Sequence, residues 1–305
     1  MALFFIVSGY LITKSFIASK SVAHFVLARM LRLLPALAVT LVLLAAVVGP
    51  VLTTLTLADY FSREEVARFV WLNLSLTGFA YELPGVFTNL PFPKAVDGSL
   101  WTLVYEARCY MLVVALGIIR CLNKWTVAAI LGASFIASEM LLGGDMVELG
   151  SYFAGGAVMF FWQPRLRGSV ALGCIVILLV SILAGGFRLA CATAGAYLVI
   201  YVARSVRPVQ LRWLRGTDMS YGIYLWAFPV QQAVSLTLGA SIAWWSNALI
   251  STPLVIGLAW MSWRWVEAPA LSLKLRGSSK TALATRSRLQ SSGVALANGA
   301  DSCSN

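Results

Sequence analysis

Apolar residues fill this chain in long runs, and small clusters of charge end nearly every run. Read against those charges, the pattern predicts nine helices, at roughly 2–19, 33–55, 99–120, 125–142, 148–163, 168–186, 188–203, 217–238 and 246–266. Runs such as 33–57 and 169–186 are long enough to cross a hydrocarbon core of roughly 30 Å. The expected fold is all-α and polytopic in the lipid bilayer, with about nine transmembrane helices. One long connection, 56–98, interrupts the series. Within it, 62–79 opens on a Ser-x-x-Glu capping box, from Ser62 to Glu65, and reads as a short interfacial helix. The Pro/Gly-rich stretch ELPGVFTNLPFPKAVDG that follows is not regular helix, and its polar groups suit the lining of a vestibule. Beyond the last run the composition turns polar. Residues 1–275 are therefore read as one membrane-embedded domain, and 276–305 as a disordered basic and polar tail.

Composition supports the membrane reading. The chain is 60% hydrophobic and 11% charged, whereas soluble domains carry about 25% charged residues. Its net charge of +11 would suit a nucleic-acid partner, but the placement of the charge argues otherwise. Most of the 23 basic residues lie in alternate connections, at 14–32, 120–124, 163–167, 204–215 and 271–288. The opposite connections carry Asp59, Glu64, Glu65, Glu82, Asp97, Glu139, Asp145 and Glu148. The positive-inside rule puts the basic side, and with it the C-terminus, in the cytoplasm. The charge thus reports topology, and no nucleic-acid partner is expected. The same rule places Met1 outside, almost within the first helix and without a basic leader region. We expect that the natural protein has one further helix upstream, making ten; a re-entrant or interfacial first segment is the alternative.

The 5 cysteines show no CxxC spacing, and with 1 histidine no metal site is expected. The stretch SLWTLVYEARCYML (99–112) is more informative, because Glu106 and Arg108 sit inside an apolar run. A charge at the centre of a spanning helix costs roughly 2.5–3.5 kcal/mol on insertion scales, so each needs a partner or a polar cavity. Two residues of helix turn the pair about 200° apart, so they do not face each other. On the helix, Glu106 is one turn from Tyr110 and Thr102, and Arg108 shares a side with Trp101 and Tyr105. Arg29 and Arg32 lie three apart on one face, where guanidinium forks suit phosphate groups or simply flank a helix. His24 lies on a basic connector and reads as solvated. In DMSYGIYLWAFPVQQ (218–232), Tyr221, Tyr224, Trp226 and Phe228 have packing-like spacing, with Pro229 as a kink. Arg264 and Glu267, in WRWVEAP, are spaced to pair.

Five stretches in order, LFFIVSGYLITKS (3–15), LARMLRLLP (27–35), DGSLWTLVYEARCYML (97–112), DMSYGIYLWAFPVQQ (218–232) and WRWVEAPAL (263–271), resemble the integral-membrane acyltransferase family 3. The external loop is similar to that of bacterial polysaccharide O-acetyltransferases. The resemblance implies a ten-helix fold without a bound cofactor. It implies acyl-CoA, usually acetyl-CoA, as donor and a hydroxyl of an exported polysaccharide, lipopolysaccharide or glycolipid as acceptor. It assigns Arg29 and Arg32 to the CoA donor and Glu106 to the catalytic centre. Ser99, Trp101, Tyr105, Tyr221 and Tyr224 are then expected to line the substrate cavity. Two departures stand out. The family's key histidine lies on the first helix, which precedes the motifs present here, and Ala227 stands where many members carry His. Glu106 is left as the candidate base. The expected function is an O-acyl, foremost O-acetyl, transferase acting on a carbohydrate. The alternatives are a non-catalytic transporter or glycolipid-handling relative, or an inactive truncated remnant.

Overall fold

The computed structural model describes residues 1–90, 92–139, 144–205, 216–239 and 241–273, and the side chains of 138 and 139 are excepted. The predicted tail 276–305 and the basic residues Arg207, Arg212 and Arg215 lie outside the described residues. In chain order the helices are α1 (Ala2–Ile17), α2 (Val22–Leu52), α3 (Leu57–Ser62), α4 (Glu64–Ser75), α5 (Trp101–Ile118) and α6 (Lys124–Glu139). They continue with α7 (Asp145–Trp162), α8 (Gly168–Ala184), α9 (Phe187–Ser205), α10 (Ser220–Leu238) and α11 (Trp244–Ser262), the last running on through Trp263–Glu267. No strand occurs among the described residues, so the fold is all-α. Helices α2, α5 and α9 are long and apolar enough to cross a membrane. On α8, Leu183 is 90% exposed, as suits a side chain facing lipid rather than water. This is a membrane protein.

Every predicted stretch overlaps a helix among the described residues, but the starts move, most of all for α2. Helix α2 begins at Val22, because Ser21 Oγ accepts the His24 N–H as an N-cap. Arg29 and Arg32 therefore lie inside α2 rather than before it. The capping signal in the long connection also shifts by one element. Thr56 caps α3, accepting from the Asp59 N–H at 3.1 Å while donating to Asp59 Oδ2 at 2.6 Å. Ser62 instead ends α3 by donating to the Asp59 carbonyl, and α4 starts at Glu64 with Arg63 ahead of it giving no side-chain cap. Helix α4 packs back along α2, burying Phe69 and Asn73.

Buried side chains form two clusters. One joins α2, α3, α4, the 83–100 segment, α10 and α11. The other joins α1, α6, α7, α8 and α9, with Phe25 from the start of α2. Helix α5 belongs to both: Leu103 enters the first, just after Leu100 ahead of the helix, whereas Cys109, Val113 and Val114 enter the second. It is the seam of the bundle.

Close backbone contact fixes the second half. A Cβ on Gly9 would lie 1.9 Å from the Phe153 carbonyl oxygen, and one on Gly156 would lie 1.9 Å from that of Ile6. Gly155 meets the Ala192 carbonyl in the same way, at 2.0 Å. Small residues on α7 thus let α1 and α9 approach to backbone distance, the packing that substitutes for a hydrophobic drive in lipid. In the first half, α2 widens to a π turn at Leu44–Val48, and the Tyr60 hydroxyl donates to the Ala45 carbonyl there at 2.9 Å. Gly49 leaves room for that phenol.

The irregular 76–100 segment is held by side chains that satisfy its backbone groups. Asn73 Nδ2 donates to the Ala80 carbonyl at 2.6 Å, Thr53 Oγ1 to that of Pro84 at 2.7 Å, and Gln232 Nε2 to those of Phe92 and Ala95 at 2.8 Å. Non-helical backbone buried within a bundle needs such partners. The segment delivers Asp97, Gly98 and Ser99 to the head of α5.

Candidate active site at the helix seam

Glu106 lies on the seam, 4% exposed. Its Oε1 accepts the hydroxyl of Tyr110, one turn along α5, and that of Ser8 on α1 at 3.3 Å. The second contact depends on the Gly9 and Gly156 approach, which presses α1 into the bundle. Glu106 is also electrostatically coupled to Arg29 and Arg32 of α2. One carboxylate thus draws on three helices from both halves.

Above it on α5, Thr102 occupies the position one turn before Glu106, and its Oγ1 is hydrogen-bonded to the Tyr224 hydroxyl. Tyr224 also contacts the Ser99 carbonyl. The Ser99 hydroxyl and N–H both donate to Asp97 Oδ1, at 2.5 and 2.9 Å. Asp97 is fully buried and its Oδ2 has no partner among the described residues. Burial pushes its carboxyl up to about 7, against the opposing pull of the Ser99 hydrogen bonds.

Below Glu106, the two arginines part company. Arg32 pairs with Asp218 at 2.7 Å. Burial alone would raise the Asp218 carboxyl, but the hydrogen bonds from Ser220 and Arg32 outweigh it and hold the group below its ordinary value. Arg29 donates to Ser15 Oγ at 3.3 Å, packs over Phe25 at 5.8 Å, and keeps a buried Nε with no partner among the described residues. It opens on a cleft of about 330 Å³ between α2, α4 and α5. Arg108 lines the same cleft, its guanidinium 5.4 Å from the Tyr105 ring centroid. As the 200° offset requires, it points away from Glu106; the cleft gives it the place that the sequence left open.

The expected cavity residues divide. Ser99 and Tyr224 belong to the polar file that leads to Glu106. Tyr221 is buried and donates to the Leu33 carbonyl at 3.1 Å, tying α10 to α2. Trp101 and Tyr105 pack edge to face at 5.6 Å against the second cluster, and the Tyr105 hydroxyl donates to Asp145 Oδ2 at 3.4 Å. They stand on the other side of α5 from Ser99, because alternate helical positions cannot share a wall. The His24 side chain makes no hydrogen bond among the described residues, and does not join the file. Glu267 accepts from Ser262 at 3.0 Å, and Arg264 makes no ion pair with it among the described residues.

Sequence reasoning missed Ser8, Asp97 and Asp218 as site residues. Thr102 and Tyr110 had a visible signal in their four-residue spacing from Glu106. Ser8 and Asp218 had none, since both meet their partners only through tertiary packing.

A buried carboxylate with hydroxyl neighbours, guanidiniums beneath it and an apolar seam around it is a setting for group transfer inside a bilayer. Residues 1–264 match the model of acyltransferase family 3, described as an acyltransferase domain, and the chain belongs to that family. It is 29% identical over 309 residues to the O-acetyl transferase of Shigella phage Sf6, covering 92% of this chain and 86% of that protein. It is 28% identical over 310 residues to nodulation protein 10 of Rhizobium leguminosarum bv. viciae, covering 90% and 82%. No solved structure gives a significant match. The chain is an O-acyltransferase of the membrane.

Proposed function

We propose that this enzyme moves an acetyl group from acetyl-CoA, reached from the cytoplasm, to a hydroxyl of an exported carbohydrate at the inner membrane. The observation that supports this reading is the file of polar side chains along the seam. It runs from Asp97 through Ser99, Tyr224 and Thr102 to Glu106 and Tyr110, and on to Arg29 and Arg32. The name of the phage relative favours acetyl as the group.

In this mechanism Arg29, joined by Arg108, holds donor phosphates in the cleft by charge-assisted hydrogen bonds. Arg32 is committed to Asp218 and sets the position of its neighbour. The acceptor oxygen attacks the thioester carbonyl, so that a C–O bond forms and the C–S bond breaks. Glu106 takes the hydroxyl proton and returns it to the departing thiolate. Tyr110 and Ser8 orient the carboxylate.

The test is direct. Membranes containing the chain receive acetyl-CoA labelled in its acetyl group. Label in glycan or glycolipid supports the reading, and its absence, with the protein present and folded, rejects it.

A further inference from the structure

A second cavity, about 360 Å³ in volume, lies where α10 and α11 meet the 76–100 segment. That is within the about 300–1,000 Å³ range of small-molecule clefts. Phe92, Phe228, Gln231, Ser235, Trp244 and Asn247 contribute to its walls, and no lining residue is charged. It adjoins the head of the polar file, because a Cβ on Gly98 would come within 2.8 Å of the Phe228 ring. Asp97 and Ser99 flank that glycine.

Part of the lining is a fixed frame. Asn247 donates to the Gln231 carbonyl at 3.1 Å and to Ser235 Oγ at 2.8 Å, and accepts from Ser251 at 2.9 Å. Gln232 pins the backbone at Phe92 and Ala95. The rest is unspent. The Gln231 side-chain amide makes no hydrogen bond among the described residues. The Phe92 and Phe228 rings meet at 60°, and Trp244 is 82% exposed.

This chemistry selects its ligand. A phosphate or carboxylate would require a cation in the wall. An acyl chain covering the Gln231 amide would leave it without a partner, which costs about 1–3 kcal/mol for a buried group. A pyranose ring offers both halves of the match: a C–H face that stacks on aromatic rings, and a rim of hydroxyls that donate to and accept from an amide. We propose that this cleft is a subsite for a neutral sugar ring of the acceptor, with Trp244 and Phe92 stacking on its C–H face and Gln231 bonding its hydroxyls. The proposal rests on the reading that the acceptor is a carbohydrate, and it locates where that carbohydrate is recognised.

Trp244 has a built-in control. Its neighbour Trp245 is also exposed, at 58%, but does not line the cavity. An aromatic anchor at a membrane surface would engage both; a sugar subsite engages one. The full chain in lipid nanodiscs is examined by saturation-transfer NMR with the methyl glycosides of glucose and N-acetylglucosamine, and with glycerol as a ringless polyol. We expect transfer to ring C–H protons for the native protein and Trp245→Ala, and at least fivefold less for Trp244→Ala and Gln231→Leu. Thermal melts show whether each variant is folded. Glycoside signals no stronger than glycerol's, or undiminished in folded Trp244→Ala and Gln231→Leu, overturn the subsite. The labelled acetyl-CoA assay separates the two readings. Wild-type acceptor KM in both variants overturns the subsite and leaves the enzyme's reading intact. A Trp244-dependent glycoside signal without glycan labelling supports the subsite and rejects carbohydrate acetylation.

Discussion

The Tyr110 hydroxyl donates to Glu106 from one turn further along the same helix, so the carboxylate carries its orienting partner with it. That coupling makes the two residues separable by mutation. Glu106→Gln keeps the shape of the side chain and removes the proton acceptor, and acetyl transfer is expected to fall about 10²–10⁴-fold. Tyr110→Phe leaves Ser8 as the hydroxyl partner, and a smaller loss of roughly tenfold is expected, in kcat rather than KM. Equal losses in both variants, measured on labelled glycan, would contradict the separate roles.

Arg29 and Arg32 are expected to respond differently despite their shared helical face. Arg29→Ala removes a guanidinium that opens on the donor cleft, and the KM for acetyl-CoA should rise tenfold or more, the equivalent of about 1.5–3 kcal/mol for a charged hydrogen bond. Arg32→Ala strands Asp218, so its main effect should be a lower melting temperature. Acetylation left intact by Arg29→Ala would instead favour a relative that handles glycolipid without using CoA.

Asp97 sets a pH dependence of stability. Its carboxyl titrates near 7 in the folded protein against an ordinary 3.8. Between those values the folded chain holds a proton that the unfolded chain has lost, so stability falls as pH rises through the window and levels off above it. The full span is on the order of 4 kcal/mol. Thermal melts between pH 4 and 8 should show this decline in the native protein. Asp97→Asn should be flat, since its amide oxygen still accepts from Ser99.

Glycine positions on α6 and α7 give a matched pair. Gly156→Ala would drive a Cβ to 1.9 Å from the Ile6 carbonyl, and loss of folded, monodisperse protein is expected. Nothing lies within 4 Å of a Cβ at Gly132, so Gly132→Ala should be neutral or stabilise by about 0.5–1 kcal/mol. Size-exclusion profiles and melts of the two purified variants check both outcomes.

The sequence made the helices legible because apolar runs and topogenic charges are local signals. It made Glu106 conspicuous for the same reason, and the spacing of Thr102 and Tyr110 already placed them on its face. Arg32 shows the limit. Its spacing paired it with Arg29, but the fold brought Asp218 to it from a position 186 residues away. The Ser62 capping box failed on a smaller scale, since Thr56 and Asp59 offered an equally good local match and the chain used that one. The close approach of α1 and α9 at Gly155 and Gly156 belongs to the packing and had no reading in the sequence. Trp101 and Tyr105 were assigned to the Glu106 wall through the motif they share, and the fold packs them edge to face beside it, with Tyr105 on Asp145.

The dual membership of α5 constrains how anything crosses this protein. A transporter that exposes a site first to one side and then to the other does so by rocking one half of its bundle against the other. Here the helix at the boundary is packed into both halves, and Glu106 takes hydrogen bonds from α1 and from its own helix while coupling to α2. Rocking would have to tear α5 out of one core and dissolve those bonds. What moves at such a seam is the acyl group, passed from one substrate to the other beside a helix shared by both halves.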